Sequence, residues 1–218
     1  GGTLSLEIHH SLKDRWAQLI KRVIDLAGSI LGLIFLSPLF LLIMLLIEVD
    51  SPGRVFYRQE RIGKHGRHFK LLKFRTMHLN ADRMLQNYLE KDPVMKAEWE
   101  TYQKLKRDPR ITRVGSLLRR FSLDELPQLW NVLRGEMSLV GPRPIMVDQH
   151  KTYGPAISHY NRVVPGMTGL WQVSGRNQAT FAHRAELDMQ YVLNWSIWLD
   201  IYILVRTVWV VLKREGAC

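Results

Sequence analysis

At 218 residues the chain is long enough for one globular domain with a sizeable core, and its 31 Lys and Arg against 20 Asp and Glu leave a formal charge of +11. That balance suits an anionic partner, whether nucleic acid, anionic lipid or a phosphorylated substrate. A single cysteine, Cys218, excludes an internal disulfide. The eight histidines show no HExxH and no ligand spacing, so no zinc is assigned, and there is neither a GxSxG elbow nor an internal repeat.

The chain begins GGTLSLEI, without an initiator Met, and reads as a piece of a longer protein. Residues 11–25 are basic and amphipathic, with Lys13, Arg15, Lys21 and Arg22 among Trp16, Leu19, Ile20 and Val23. A solvated helix face would look the same, but the long uncharged run directly after it favours a helix approaching an anionic leaflet. Residues 26–47 carry no charge. As a straight helix they would reach about 33 Å, against a hydrocarbon core of about 30 Å. Ser37-Pro38 sits near the middle. Proline removes a hydrogen bond and clashes one turn back, so a kink is expected there, with Ser37 re-satisfying freed backbone groups. Each half is then about 14–17 Å long. Arg54, Arg58, Arg61, Lys64, Arg67, Lys70 and Lys73 come next, so both flanks are basic, and basic flanks belong on the cytoplasmic side. A bent helix that enters and leaves on one face fits better than a span.

Asp50-Ser51-Pro52-Gly53 is a turn. Residues 55–60 and 69–77 read as short strands around Gly63-Lys64-His65-Gly66. Lys73 and Arg75 alternate with Phe74, which puts both on one face. From the residues alone that face is as readily solvated as phosphate-contacting. Residues 81–105 are charged and helical in pattern, interrupted at Asp92-Pro93, and read as a solvated surface insertion.

The densest chemistry lies in LLRRFSLDELPQLWNVLRGEMSLVGPRP (117–144). Ser122 and Glu125 have capping-box spacing, so a helix is expected from about Ser122 to Arg134, stopped by Gly135. Asp124 and Glu125 would then sit at a helix N-terminus, where unpaired N–H groups keep a carboxylate ionised. A cap alone would satisfy that spacing. Yet Arg119, Arg120 and Arg143 exceed what two acids need, and Arg143, fixed between Pro142 and Pro144, is pre-organised for a phosphate. A carboxylate can attack phosphorus, and a second can hold Mg²⁺ beside substrate phosphates.

Residues 155–164 suggest a short helix. In 165–177, three glycines and Arg176 offer either an N–H concavity for a diphosphate or a plain glycine-rich loop, and the spacing is neither a P-loop nor a Rossmann turn. Trp171 there is more a core residue than a platform for a base. Residues 180–192 are helical. Trp195, Trp198, Leu199, Tyr202, Val205 and Trp209 then recur at helical spacing, broken by Asp200 and Arg206. That pattern suits an interfacial amphipathic helix, with a core helix as the alternative.

SLDELPQLWNVLRGEMSLVGPRP (122–144), KFRTM (73–77) and NWSIWLDI (194–201) together resemble the bacterial sugar transferases, the monotopic phosphoglycosyl transferases. The likeness runs from about Lys21 to Lys213, and EWETYQKLKRDPRITRVG (98–115) is most like the undecaprenyl-phosphate galactose phosphotransferases. The resemblance implies transfer of a sugar 1-phosphate from a UDP-sugar to undecaprenyl phosphate, releasing UMP, in O-antigen, capsule or exopolysaccharide synthesis. It implies Asp124 as nucleophile, Glu125 as Mg²⁺ ligand, and Lys73, Arg75, Thr76, Arg119, Arg143 and Arg176 as phosphate contacts. Pro142, Pro144, Gly175 and Asn177 would form a nucleotide-binding loop, and Ser37-Pro38 the break of a re-entrant helix. The expected fold is α+β and mostly helical: a lead-in (1–25), a re-entrant membrane helix (26–47), and a catalytic domain (48–218) with a short β-hairpin and a C-terminal interfacial helix. The expected setting is the cytoplasmic face of a bacterial inner membrane, against anionic lipid, without nucleic acid; a homodimer is compatible with all of this. A polytopic transferase would need more than one hydrophobic segment. A non-catalytic basic membrane adaptor would leave Asp124-Glu125 and Pro142-Arg143-Pro144 without purpose.

Overall fold

The computed structural model describes residues 15–102, 105, 108–174 and 180–213. In chain order these form α1 (Arg15–Phe35), α2 (Ser37–Asp50), β1 (Phe56–Ile62), β2 (His68–Phe74), α3 (Ala81–Lys91), α4 (Pro93–Tyr102), α5 (Arg113–Arg120) and α6 (Gln128–Leu133). After these come β3 (Ser138–Val140), α7 (Ile157–Tyr160), β4 (Gly166–Thr168), α8 (Leu170–Val173), α9 (Phe181–Leu193) and α10 (Ile197–Lys213). The fold is mostly helical α+β. Among the described residues there are two sheets of two strands each, the hairpin β1–β2 and the pair β3–β4.

The apolar stretch is two helices. Leu36 is the N-cap of α2 and Pro38 lies in the first turn of α2, where its missing N–H costs least. Among the described residues no single helix is long and apolar enough to cross a membrane; α1 and α2 pass that test only together, as a pair bent at the break. Residues 1–14 of the expected lead-in lie outside the described residues; from Arg15, α1 runs without interruption through Phe35.

The described residues fall into two units. The first holds 15–35, 58–71, 128–174 and 180–213. Here α1 lies against α6 and β3, and β3 pairs in parallel with β4, Ser138 opposite Gly166 and Val140 opposite Thr168. Glycine is needed at this crossing: a Cβ on Gly166 would stand 2.1 Å from Gly141 N, and one on Gly169 2.2 Å from Gly141 O. Two of the three glycines expected to cradle a diphosphate therefore serve close backbone approach, and the expected loop is a strand followed by α8. Val140, Tyr191, Trp195 and Ile203 centre one core cluster, and Ile62, Ile145, Tyr153 and Tyr160 another. Two cations of α1 turn inward. Arg22 donates to the carbonyls of Val132 and Leu133 at 2.7 and 2.9 Å, capping the end of α6 before Gly135 (φ 79°). Lys21 pairs with the buried Asp200 at 2.5 Å. The reading of both as leaflet-facing is corrected: a buried carboxylate and open helix carbonyls claim them first. Outward, α1 exposes Trp16, Leu19, Ile34 and Phe35, and α10 exposes Trp198, Val205, Trp209 and Leu212.

The second unit holds 36–57, 72–102, 105 and 108–127. Its core joins Ile43, Ile47, Phe74 and Leu118, with the Phe74 ring 5.3 Å from that of Phe40 and 5.5 Å from that of Phe56. α2 exposes Leu41, Leu42, Leu45 and Val49. The charged helices α3 and α4 break where expected, with Asp92 Oδ1 accepting from the N–H of Val94 and Met95. α5 is fixed at its start. Thr112 Oγ1 accepts from Gly115 N and Asp50 Oδ2 from Val114 N, each at 2.9 Å. Gly115 lies so close to the chain after β2 that a Cβ there would stand 2.1 Å from Thr76 O.

Candidate active site

Between α5 and α6 the sequence predicts the first turn of a continuous helix. The structure instead has a short 3-10 turn, Leu123–Glu125. Ser122 does not cap it: its φ is 55°, left-handed, and its side chain makes no cap hydrogen bond. The capping box is thus not formed: Ser122 is left-handed where a capping residue is normally extended. A non-glycine residue held at positive φ costs on the order of 1 kcal/mol and persists only where its surroundings fix it.

This tight turn carries the two acids. Lys73, near the end of β2, donates from Nζ to Glu125 Oε1 at 2.7 Å, and its Nζ lies 3.9 Å from Asp124 Oδ2. Asp124 is the deeper acid, its side chain 12% exposed against 23% for Glu125. Burial pushes the Asp124 carboxyl above its ordinary range; Lys73 pulls it back, Glu125 adds to the rise and Arg119 opposes it. The sequence expectation that a helix N-terminus would favour its ionised form is corrected. With no continuous helix behind Asp124, desolvation sets the direction and Lys73 is its main counter-charge.

Arg119, in the last turn of α5, donates from Nε to Thr76 Oγ1 at 2.9 Å, and Asp124 and Asp108 both attract it. Arg110 is already forked onto Asp108 at 2.8 and 2.7 Å and lies 5.0 Å over the Trp99 ring. The second unit therefore gathers Lys73, Thr76, Arg119, Asp124 and Glu125 around one turn. Arg75 belongs to the same unit but works elsewhere. β2 ends at Phe74, and the buried Arg75 donates to the Ser51 carbonyl after α2.

Among the described residues, no three His, Cys, Asp or Glu side chains gather as a metal cage. Mg²⁺ needs less, about one or two protein carboxylates when substrate phosphates complete the sphere. Two hard-oxygen acids side by side on one turn, the outer one partly exposed, fit that requirement.

Pro142, Arg143 and Pro144 lie in the first unit, on the segment after β3. Pro142 O accepts from Gly166 N at 2.8 Å, Pro144 O from Arg61 Nη1 at 3.0 Å, and the Arg143 guanidinium lies 5.7 Å from the Trp171 ring centre. Gly175, Arg176 and Asn177 lie outside the described residues. Sequence reasoning missed Asp188, Arg184, Tyr153 and Arg61, which surround this segment; in the mixed helix α9 no local signal sets Asp188 apart from Glu186.

A sequence model for the bacterial sugar transferases matches residues 16–214. The UDP-galactose-lipid carrier transferase of Erwinia amylovora is 48% identical over 97% of this chain and 44% of its own length. The undecaprenyl-phosphate galactose phosphotransferase of Salmonella typhimurium is likewise 48% identical over 97% of this chain and 44% of its own. The exopolysaccharide production protein ExoY of Sinorhizobium fredii is 50% identical over 90% of this chain and 87% of its own. The chain thus spans less than half the length of the first two and most of the third. With that match running along both units and through the Lys73–Asp124–Glu125 turn, the chain belongs to the bacterial sugar transferase family.

Proposed function

We propose that the chain transfers a sugar 1-phosphate, galactose 1-phosphate first among candidates, from a UDP-sugar to undecaprenyl phosphate. The single observation that carries this reading is Asp124: a buried carboxylate held on a strained turn, raised in basicity and facing a lysine. In the proposed chemistry an Asp124 carboxylate oxygen attacks the sugar-linked phosphorus of the UDP-sugar. The bond from that phosphorus to the bridging oxygen breaks, and UMP leaves with the electron pair. An oxygen of the lipid phosphate then attacks the acyl phosphate, the bond to Asp124 breaks, and undecaprenyl-diphospho-sugar departs with the carboxylate restored. Lys73 counters the charge on Asp124 before attack, and Arg119 is a phosphate contact aimed by Thr76. Glu125, with Asp124 beside it, would hold Mg²⁺, which when bound neutralises diphosphate charge. Arg143 and Arg176 are proposed phosphate contacts. We further propose that the exposed apolar faces of α1, α2 and α10 lie in lipid at the cytoplasmic face of a bacterial inner membrane, the bent α1–α2 pair re-entering on one side; large apolar faces of this kind are unsuited to water.

The test is release of UMP from UDP-galactose with undecaprenyl phosphate and Mg²⁺, in detergent. Enzyme given UDP-galactose alone should release up to one equivalent of UMP and gain the mass of a hexose phosphate on the tryptic peptide containing Asp124. UMP release only when both substrates are present, with no mass gain, would reject the covalent route. No release with any UDP-sugar would reject the activity.

A further inference from the structure

We infer that Asp188 is a positioning residue for Arg143, holding it in place for the donor's phosphates together with Arg184 and the Trp171 ring. This inference rests on the proposed role of Arg143 as a phosphate contact. Asp188 lies in α9 and is 2% exposed. The Tyr153 hydroxyl donates to its Oδ2, while Oδ1, sealed from solvent, has no hydrogen-bond partner among the described residues. The carboxylate faces the main-chain N–H and the guanidinium of Arg143, and the guanidinium of Arg184.

Two cations meet at one indole. The Arg184 guanidinium lies 4.3 Å from the Trp171 ring centre and that of Arg143 5.7 Å from the same centre, so each repels the other. Asp188 is the carboxylate that offsets this. A buried carboxylate is a poor choice for stability alone, since an apolar residue of similar size would fill the space without its desolvation penalty. Its charge is explained by the two guanidiniums.

The backbone of the arginine turn is held to match. Pro142 O accepts from Gly166 N at 2.8 Å, and Pro144 O from Arg61 Nη1 at 3.0 Å. Ile145 N donates to Tyr160 Oη at 3.3 Å, and Ile145 O accepts from Ile62 N at 3.1 Å. Supports thus reach the segment from β1, β4, α7 and α9. With its peptides fixed, Arg143 keeps few ways to move, and less freedom is lost when it binds an anion.

The groups facing Asp188 are Tyr153, Tyr160, Arg143 and Arg184, with Arg61 beyond Tyr160. Burial first, then the Asp188 charge, pushes the Tyr153 phenol above its ordinary range; burial does the same to Tyr160. Among these groups Asp188 is the one placed near neutrality, raised to about 6 by burial. Below that pH the two guanidiniums lose their shared anion.

The experiment measures binding of UDP-galactose by calorimetry to the whole chain carrying Asp124→Asn, so that no turnover intervenes. In that parent, Kd should rise between about pH 7.5 and about pH 5.5, around the Asp188 value of about 6. Adding Asp188→Asn should raise Kd about tenfold at the higher pH, the scale of one misaligned charge-assisted contact, and flatten the pH response. Asp188→Glu should restore part of the affinity. Tyr153→Phe should weaken binding less, and it decides the matter if Asp188→Asn does not fold. Arg143→Lys is the control, and its loss should not add to that of Asp188→Asn. If Arg143→Lys weakens binding but Asp188→Asn and Tyr153→Phe do not, the positioning role is overturned while the reading of Arg143 stands. If Arg143→Lys binds like the parent, both are overturned.

Discussion

Asp200 in the first unit and Asp124 in the second are almost equally buried, 8% and 9% exposed, and are treated very differently. Asp200 is saturated. Lys21 Nζ lies 2.5 Å from it, and the Tyr191 hydroxyl and Trp195 Nε1 donate to it at 2.7 and 3.1 Å. These three donors tie α1 and the end of α9 to the start of α10. Asp124 has a lysine at 3.9 Å that gives its short contact to Glu125 instead, and burial pushes its carboxyl up against the pull of that lysine. Burial alone therefore does not mark a reactive carboxylate. The number of donors that burial brings with it does, because a saturated acid is held and an under-supplied one stays available as a nucleophile.

The largest expected break in this contrast is Asp124→Asn. Turnover should fall to background while the fold survives. The stability sign comes from the raised carboxyl: its charged form is disfavoured in the fold, so its cost is absent at low pH and grows as pH rises through the folded value. The asparagine variant should therefore melt at or above the parent temperature at pH 7, with the gap closing toward the ordinary carboxyl value of 3.8. A clear loss of melting temperature at pH 7 would make Asp124 structural, like Asp200.

Asp200→Ala should show the reverse pattern. It strands Lys21 in a largely buried place, and loss of one partner from a buried pair costs roughly 3–5 kcal/mol. Thermal or urea unfolding measures this. Turnover per folded molecule, read at low temperature, should stay near that of the parent.

Gly115→Ala tests how firmly the second unit holds Thr76 and Arg119. The new methyl would meet the Thr76 carbonyl at 2.1 Å, which the backbone must relieve by moving. Overpacking of this kind costs about 1–3 kcal/mol. Since Thr76 aims Arg119, kcat/KM should fall by more than the melt alone accounts for; equal loss in both would detach Arg119 from catalysis.

By itself, the sequence determined where chemistry is concentrated and most of the helical layout. The acids at Asp124-Glu125, the break beside Ser37-Pro38, the hairpin near Gly63–Gly66, the helices on either side of Asp92 and the stop at Gly135 are local matters of charge, proline, glycine and apolar period, and such signals act over a few residues. What depends on distant partners was decided only by tertiary structure. Ser122-x-x-Glu125 has the right spacing for a cap, yet Glu125 finds Lys73 from another element and Ser122 turns left-handed. Lys21 and Arg22 read as a basic face until Asp200 and the end of α6 claim them. Gly166 and Gly169 read as a loop until Gly141 comes against them to make the β3–β4 crossing. Asp188 is one of two acids in a mixed helix until Tyr153, Arg184 and Arg143 surround it. In each case a charge or a backbone atom far along the chain outweighs a local preference worth about 1 kcal/mol, because unpaired polar groups in a buried setting cost more than that.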